Sequence, residues 1–207
     1  MRVALVSLAL CPALAAAQAA PGGGDSVVYI LSPASRLEVQ TGKAGLLGFA
    51  GHDHVIRART FSGRIVYRPD APAASRIAIT VRTDSLEVLT PPDTAEIRKV
   101  TAAMRTDVLD VARYPEITLA SRTITPLEGE GRLRLIGALT ITGRTREVPL
   151  EVRVEIGRDT LRATATFAVK QSDFGIRPYR GGPAGLVRVA DRVTFDIEAV
   201  AVRRPDS

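Results

Sequence analysis

From Val27 onward, apolar and polar residues alternate along most of the chain, the period-two pattern of strands with one face in a core and one in water. The clearest run sets Leu161, Ala163, Ala165, Phe167 and Val169 on one face against Arg162, Thr164, Thr166 and Lys170 on the other. Val148, Leu150, Val152, Val154 and Ile156 oppose Glu147, Glu151, Arg153 and Glu155, and Val193, Phe195, Ile197 and Ala199 oppose Arg192, Thr194, Asp196 and Glu198. Shorter runs around Leu37, Ile77 and Leu135 obey the same rule. Gly and Pro punctuate them at Pro69-Asp70, Gly129 to Gly131, Gly143, Gly157 and Gly181-Gly182-Pro183, where turns belong. About eight antiparallel strands at this spacing predict a sandwich or a barrel. Pro149 cannot donate to a ladder, so its run should carry a bulge or an edge there.

One segment departs from the rhythm. After Pro91-Pro92, Asp93 can cap a helix, Glu96 completes a capping box, and Ile97, Val100 and Met104 share one face. The helix should end near Arg105, and a single helix among strands reads as a lid or plug.

The N-terminus has a different logic. Met1-Arg2, the apolar run Val3–Leu14 and the small residues Ala15 to Ala20 form the three-part pattern of a secretory signal peptide. The run is shorter than the ~20 residues a membrane-spanning helix needs. The expected organisation is a signal peptide over residues 1–19, a flexible glycine-rich leader over 20–26 and one domain over 27–203, giving a periplasmic protein with no stable membrane span. The lone Cys11 falls in the segment to be removed, so the exported chain would rely on core packing without disulfides.

Composition narrows the chemistry further. With two His, one Cys and no Trp in 207 residues, sites built from several of these are excluded. The charge of +6 is spread along the strands, and only 4% of residues are aromatic, which argues against a nucleic-acid surface. The chain has no G-x-S-x-G elbow, H-E-x-x-H helix, phosphate-binding G-x-x-x-x-G-K-[ST] loop or G-x-G-x-x-G fingerprint. The expectation is a binding protein with no catalytic residues and no cofactor beyond a bound ligand.

Several landmarks then coincide in order: Tyr29, Phe61-Ser62-Gly63, Asp84-Ser85-Leu86, Tyr114-Pro115-Glu116-Ile117, the stretch Gly137 to Gly143, and Ser172-Asp173-Phe174-Gly175-Ile176. Together they resemble the YceI-like, or polyisoprenoid-binding, family over residues 27–202. The resemblance implies an all-β fold, an eight-stranded antiparallel lipocalin-like barrel with one inserted short helix, holding an isoprenoid lipid in an apolar interior. In two places the chain differs from the usual family pattern: Lys170 to Ser172 stand where Arg usually precedes the Asp-Phe-Gly step, and His52-Asp53-His54 replaces a looser single-histidine region.

An eight-stranded barrel can be filled by side chains or hold one slender ligand. Gly137, Ala163, Ala165, Ala199 and Ala201 occupy strand positions where Leu or Ile would fill space, which favours a hollow. Ten-residue strands would give a tube on the order of 33 Å. The expected ligand-binding residues on the dry faces and adjoining turn are Leu139, Leu161, Ala163, Ala165, Phe167, Phe174, Phe195 and Ile197. Arg177 falls with Arg180 and Arg188 in a glycine-rich loop that either brings guanidinium and backbone groups to a pyrophosphate or is a solvated connection between two strands.

His52 and His54 share a strand face with Ile56 and Ala58, and Arg57 and Arg59 point the other way. Both imidazoles should therefore face inward at one barrel end. Three roles stay open for them: Zn or Cu binding, hydrogen bonding to a polar head such as a quinone carbonyl or phosphate, or satisfaction by neighbouring backbone and water. A metal-binding or redox-linked envelope factor and a ligand-free interaction barrel are the alternatives to an isoprenoid carrier. The pattern does not set the oligomeric state, and a dimer stays open.

Overall fold

The computed structural model describes residues 25–44, 53–89, 94–181 and 187–205. Eight antiparallel strands follow one another round a closed barrel. Three of them bend and are recorded as two segments each: β1 (Val27–Leu31 and Arg36–Ala44), β2 (His54–Ala58 and Phe61–Tyr67) and β3 (Arg76–Arg82 and Leu86–Val88). The others are β4 (Glu116–Pro126), β5 (Arg132–Ile141), β6 (Arg144–Ile156), β7 (Thr160–Lys170) and β8 (Val187–Arg203). Each pairs with its sequence neighbours, and β8 returns to β1 along both segments, from Tyr29↔Arg203 up to Ala44↔Arg188. The eight strands and single short helix expected from the sequence are what the chain forms.

The bends have local causes. Pro33 interrupts β1, and the gap is bridged by Ser35, whose hydroxyl donates to the Val200 carbonyl and accepts from the Val200 amide at 3.0 and 2.9 Å. At the β2 bend, the Thr60 amide donates to Ser85 Oγ at 2.9 Å. Thr83, only 1% exposed, holds the β3 bend: its hydroxyl donates to the Tyr114 carbonyl and its amide to the Pro115 carbonyl, at 2.8 and 3.0 Å.

Two neighbouring ladders differ sharply. The β7–β8 ladder is unbroken over its whole length, from Thr160↔Val202 to Lys170↔Arg192. The β6–β7 ladder covers only the four pairs beside its hairpin, Leu161↔Ile156 to Thr164↔Arg153. Above that point no ladder pairs join the two strands. Pro149 lies in this unladdered stretch of β6, while its pairing with Ile136 on β5 keeps register, so the edge expected for it is present and the bulge is not.

Helix α1 (Thr94–Ala103) continues into one π-helical turn, Met104–Val108, in which the Leu109 amide reaches back to the Met104 carbonyl at 2.9 Å. The anticipated cap, Asp93, lies outside the described residues, as do the signal-peptide and most of the leader positions. Met104 is 6% exposed, and Ile97 and Val100 pack with it against the core, so the predicted apolar face is the one used.

A short turn, Gln171–Phe174, sits on β8 where its register slips between Val189 and Val193. Gln171 Nε2 donates to the Ala190 carbonyl at 2.8 Å, and the amide and hydroxyl of Ser172 donate to the Asp191 carboxylate at 2.8 and 2.6 Å. These Ser172 donors hold the Asp191 carboxyl below its ordinary range.

Two outcomes follow. Thr83→Val should leave the Tyr114 carbonyl unsatisfied and lower unfolding stability by about 1–3 kcal/mol in urea denaturation, whereas an unchanged midpoint would remove the role given to Thr83. A carboxylate whose pKa is depressed by folding adds stability above its unfolded pKa, and this is lost as pH falls through the folded value. Asp191→Ala should therefore destabilise at neutral pH, with the difference from the parent shrinking below about pH 4.

Candidate functional site

The barrel interior divides into a filled half and an open half. Toward the hairpin joining β6 to β7, Tyr29, Ile65, Leu161 and Ala201 pack together at 0–7% exposure and close that end. Toward the other end lies an apolar cavity of about 460 Å³, walled mostly by Leu, Ile, Val and Phe side chains from the strands, by Val100 and Ala103 of α1 and by Met104 of the π-helical turn. Phe167 and Phe195 stack in its wall with centroids 4.8 Å apart and planes 5° from parallel. Although Phe167, Phe195, Ile197 and Leu119 occupy inward positions in central strands, they are only half-buried, because the hollow leaves them uncovered on the inside.

Of the residues expected to bind ligand, His54, Leu139, Phe167, Phe174, Phe195 and Ile197 line this cavity. Leu161, Ala163 and Ala165 lie on the same strand faces but do not reach it, and Arg177 is exposed away from it. The expectation that small residues mark the hollow is corrected: none of Gly137, Ala163, Ala165, Ala199 and Ala201 lines it. Their missing volume is taken up by larger neighbours. A Cβ on Gly137 would fall 2.6 Å from Leu119 Cδ1 and 3.1 Å from Leu150 Cδ1. Ala201 is fully buried and lies directly opposite Leu161 in the β7–β8 ladder. Gly137 and Ala201 thus sit against larger residues, whereas Ala163 and Ala199 lie opposite each other in the β7–β8 ladder. The open half lies toward the stretch where β6 and β7 have no common ladder, and it is walled mostly by large side chains, together with Ala58 and Ala103.

The long tube expected from strand length is shortened accordingly. From Val189 to Ile197 on β8 the cavity runs eight residues, about 26 Å along the strand and ~20 Å along the barrel axis at the usual tilt.

Polar groups gather at the mouth. His54, Thr41 and Gln171 come from the strands and the rim turn, Glu96 and Lys99 from α1, Tyr179 from the segment that follows the rim turn, and Arg188 from the start of β8. His54 is 8% exposed and faces the cavity with Ile56 and Ala58, while Asp53 is exposed, so the alternation predicted for this strand holds. The His54 amide donates to Thr41 Oγ1 at 3.3 Å. His52 lies outside the described residues. Among the described residues no three His, Cys, Asp or Glu side chains come together to hold a metal ion. Arg57 turns outward and donates from Nε to Glu38 at 2.7 Å, the start of an ion ladder that continues through Arg36 to Glu198 on β8. Arg180 sits opposite Arg188 in a two-residue ladder at the rim, and Gly182 to Gly185 lie outside the described residues.

The turn containing Ser172-Asp173-Phe174-Gly175-Ile176 has a clear mechanical task. Ser172 anchors it to Asp191, and Thr142 Oγ1 donates to the Phe174 carbonyl at 2.7 Å. Gly175 takes a φ of 74°, which turns the chain back so that Ile176 as well as Phe174 points inward. Phe174 is 1% exposed. The wall supplied by α1 and the π-turn was not among the expected site residues. Its signal was the apolar face at Val100 and Met104, but the pattern could not say which opening that face covers.

A family model described as the YceI-like domain matches residues 34–201. No curated protein matches the chain. Among solved structures, the chain is similar to Burkholderia cenocepacia BcnA, with 21% identity, a TM-score of 0.63 and coverage of 80% of this chain and 95% of that one. It is also similar to a polyisoprenoid binding domain from Saccharophagus degradans implicated in plant cell wall breakdown, with 13% identity, a TM-score of 0.59 and coverage of 86% and 98%. A Campylobacter jejuni YCEI protein gives 16% identity, a TM-score of 0.56 and coverage of 72% and 85%. At these identities the structural likeness concerns the fold, while the family match spans most of the sequence, and on that match the chain belongs to the YceI-like domain family.

Proposed function

We propose that the protein is a periplasmic carrier that holds the apolar tail of an isoprenoid lipid in the open half of its barrel and its polar head at the rim. The observation that carries this reading is the cavity of about 460 Å³, with largely apolar walls and most of its polar groups at the mouth. Its size falls within the roughly 300–1,000 Å³ of small-molecule sites. Water inside such a wall finds few partners, so a tail that replaces it gains ~25 cal/mol for each Å² of apolar surface covered, before ordering costs.

The mouth suits a quinone carbonyl or a phosphate. His54, Gln171 and Tyr179 offer hydrogen bonds there, and Lys99 and Arg188 offer positive charge. A wall of aliphatic and aromatic side chains suits binding rather than chemistry. The Saccharophagus degradans relative is described as a polyisoprenoid binding domain, which supports an isoprenoid ligand here. Export is supported by the Met1 to Ala20 pattern, and no described helix is long and apolar enough to cross a membrane.

The direct test is organic extraction and mass spectrometry of protein purified from the periplasm. The expected result is an isoprenoid lipid recovered in near-stoichiometric amount. Ala103→Trp, which fills the cavity from the helix side, should cut recovery at least about tenfold with the barrel intact by circular dichroism. Repeated recovery of no lipid from the parent protein would overturn the proposal.

A further inference from the structure

Resting on the carrier reading, we infer that one flank of the barrel mouth docks on an anionic phospholipid surface, so that the cavity opens onto the bilayer that supplies its ligand. Arg144, Lys170, Arg177, Arg180, Arg188 and Arg192 form this flank, and all of them are exposed. The ladders and the rim turn bring them together. Lys170 ends β7 directly opposite Arg192 on β8, and Arg180 lies directly opposite Arg188. The turn after Lys170 leads through Gly175, whose missing side chain leaves room for the Arg144 guanidinium, to Arg177.

Like charges directly opposite each other destabilise a ladder, so these two pairs favour an anionic partner over the free protein. The fold supplies little to offset them. Among the described residues, none of these six side chains forms an ion pair. The carboxylates between Lys170 and Arg192 are Asp173, which is exposed, and Asp191, which lies near Lys170 but accepts both Ser172 donors. Elsewhere the chain neutralises such a pair. Arg132 and Arg153 also lie opposite each other, on β5 and β6, but they stand 3.6 and 3.9 Å from Glu151 and Glu155. Guanidinium forks match phosphate oxygens in shape as well as charge. Tyr179, 40% exposed, stands between Arg177 and Arg180 in the chain and also lines the cavity. An amphipathic ring flanked by cations suits the headgroup level of a bilayer, whereas an acidic protein would give no reason for that ring to stand at the cavity mouth.

The experiment sediments the exported chain with vesicles of phosphatidylcholine, alone or mixed with phosphatidylglycerol at about two to one. Partitioning onto the anionic vesicles should be at least about tenfold stronger and should fade as salt is raised. At about fivefold per basic residue, Arg177→Gln with Arg180→Gln should weaken it roughly 25-fold, with the barrel intact by circular dichroism because both residues are exposed. Arg158→Gln with Arg204→Gln removes the same charge from exposed positions toward the closed end and should leave partitioning within about twofold. Equal partitioning onto neutral and anionic vesicles, no change in the Arg177 and Arg180 variant, or an equal loss in the closed-end variant overturns the docking face. Retention on immobilised polyglutamate without sedimentation on anionic vesicles also overturns it, and assigns the flank to an acidic protein. The vesicles carry no isoprenoid, so none of these results touches the carrier reading, which stands or falls by the lipid extraction.

Discussion

Closure of the sheet is the constraint on which the rest depends. Once β8 returns to β1 along both of its segments, the wall cannot collapse inward to remove unfilled space, as an open sheet could. Every interior volume is then either occupied by side chains or left as a hollow. The continuous β7–β8 ladder fixes one seam of this wall, and the neighbouring β6–β7 ladder stops after four pairs, leaving its mouthward stretch without ladder bonds. A solid end and an open end therefore belong to one barrel with no change in the alternation of its residues.

The mouth is held by a different kind of interaction. Its rim turn is tied down by directed polar contacts, Gln171 to the Ala190 carbonyl and Ser172 to Asp191, at the point where β8 slips register. Hydrogen bonds of this kind position Phe174 and Ile176 without filling the volume they face, which apolar packing could not do. The helix covers the same end with a face of only a few apolar residues, and Glu96 and Lys99 mark where that face meets water. Apolar packing thus governs the closed half, and hydrogen bonding shapes the opening.

Relatives at 13–21% identity share this architecture, which fits a fold specified by alternation, turn positions and closure more than by particular core residues.

The sequence by itself determined which way residues face. Period-two runs marked the strands, Asp93 to Arg105 marked the helix within a few residues, and alternation placed His54, Ile56 and Ala58 inward and Arg57 outward. It also found Phe167, Phe195 and Ile197 in the wall. Depth was decided only by the tertiary structure. Alternation states the side of a strand on which a residue lies, not what comes across the barrel to meet it, and those partners are remote in the chain: Leu31 over Gly63, Leu119 and Leu150 over Gly137, Leu161 against Ala201. For that reason the alanines and glycines that suggested empty space do not line the cavity, and most of its wall comes from large side chains with no partner across it.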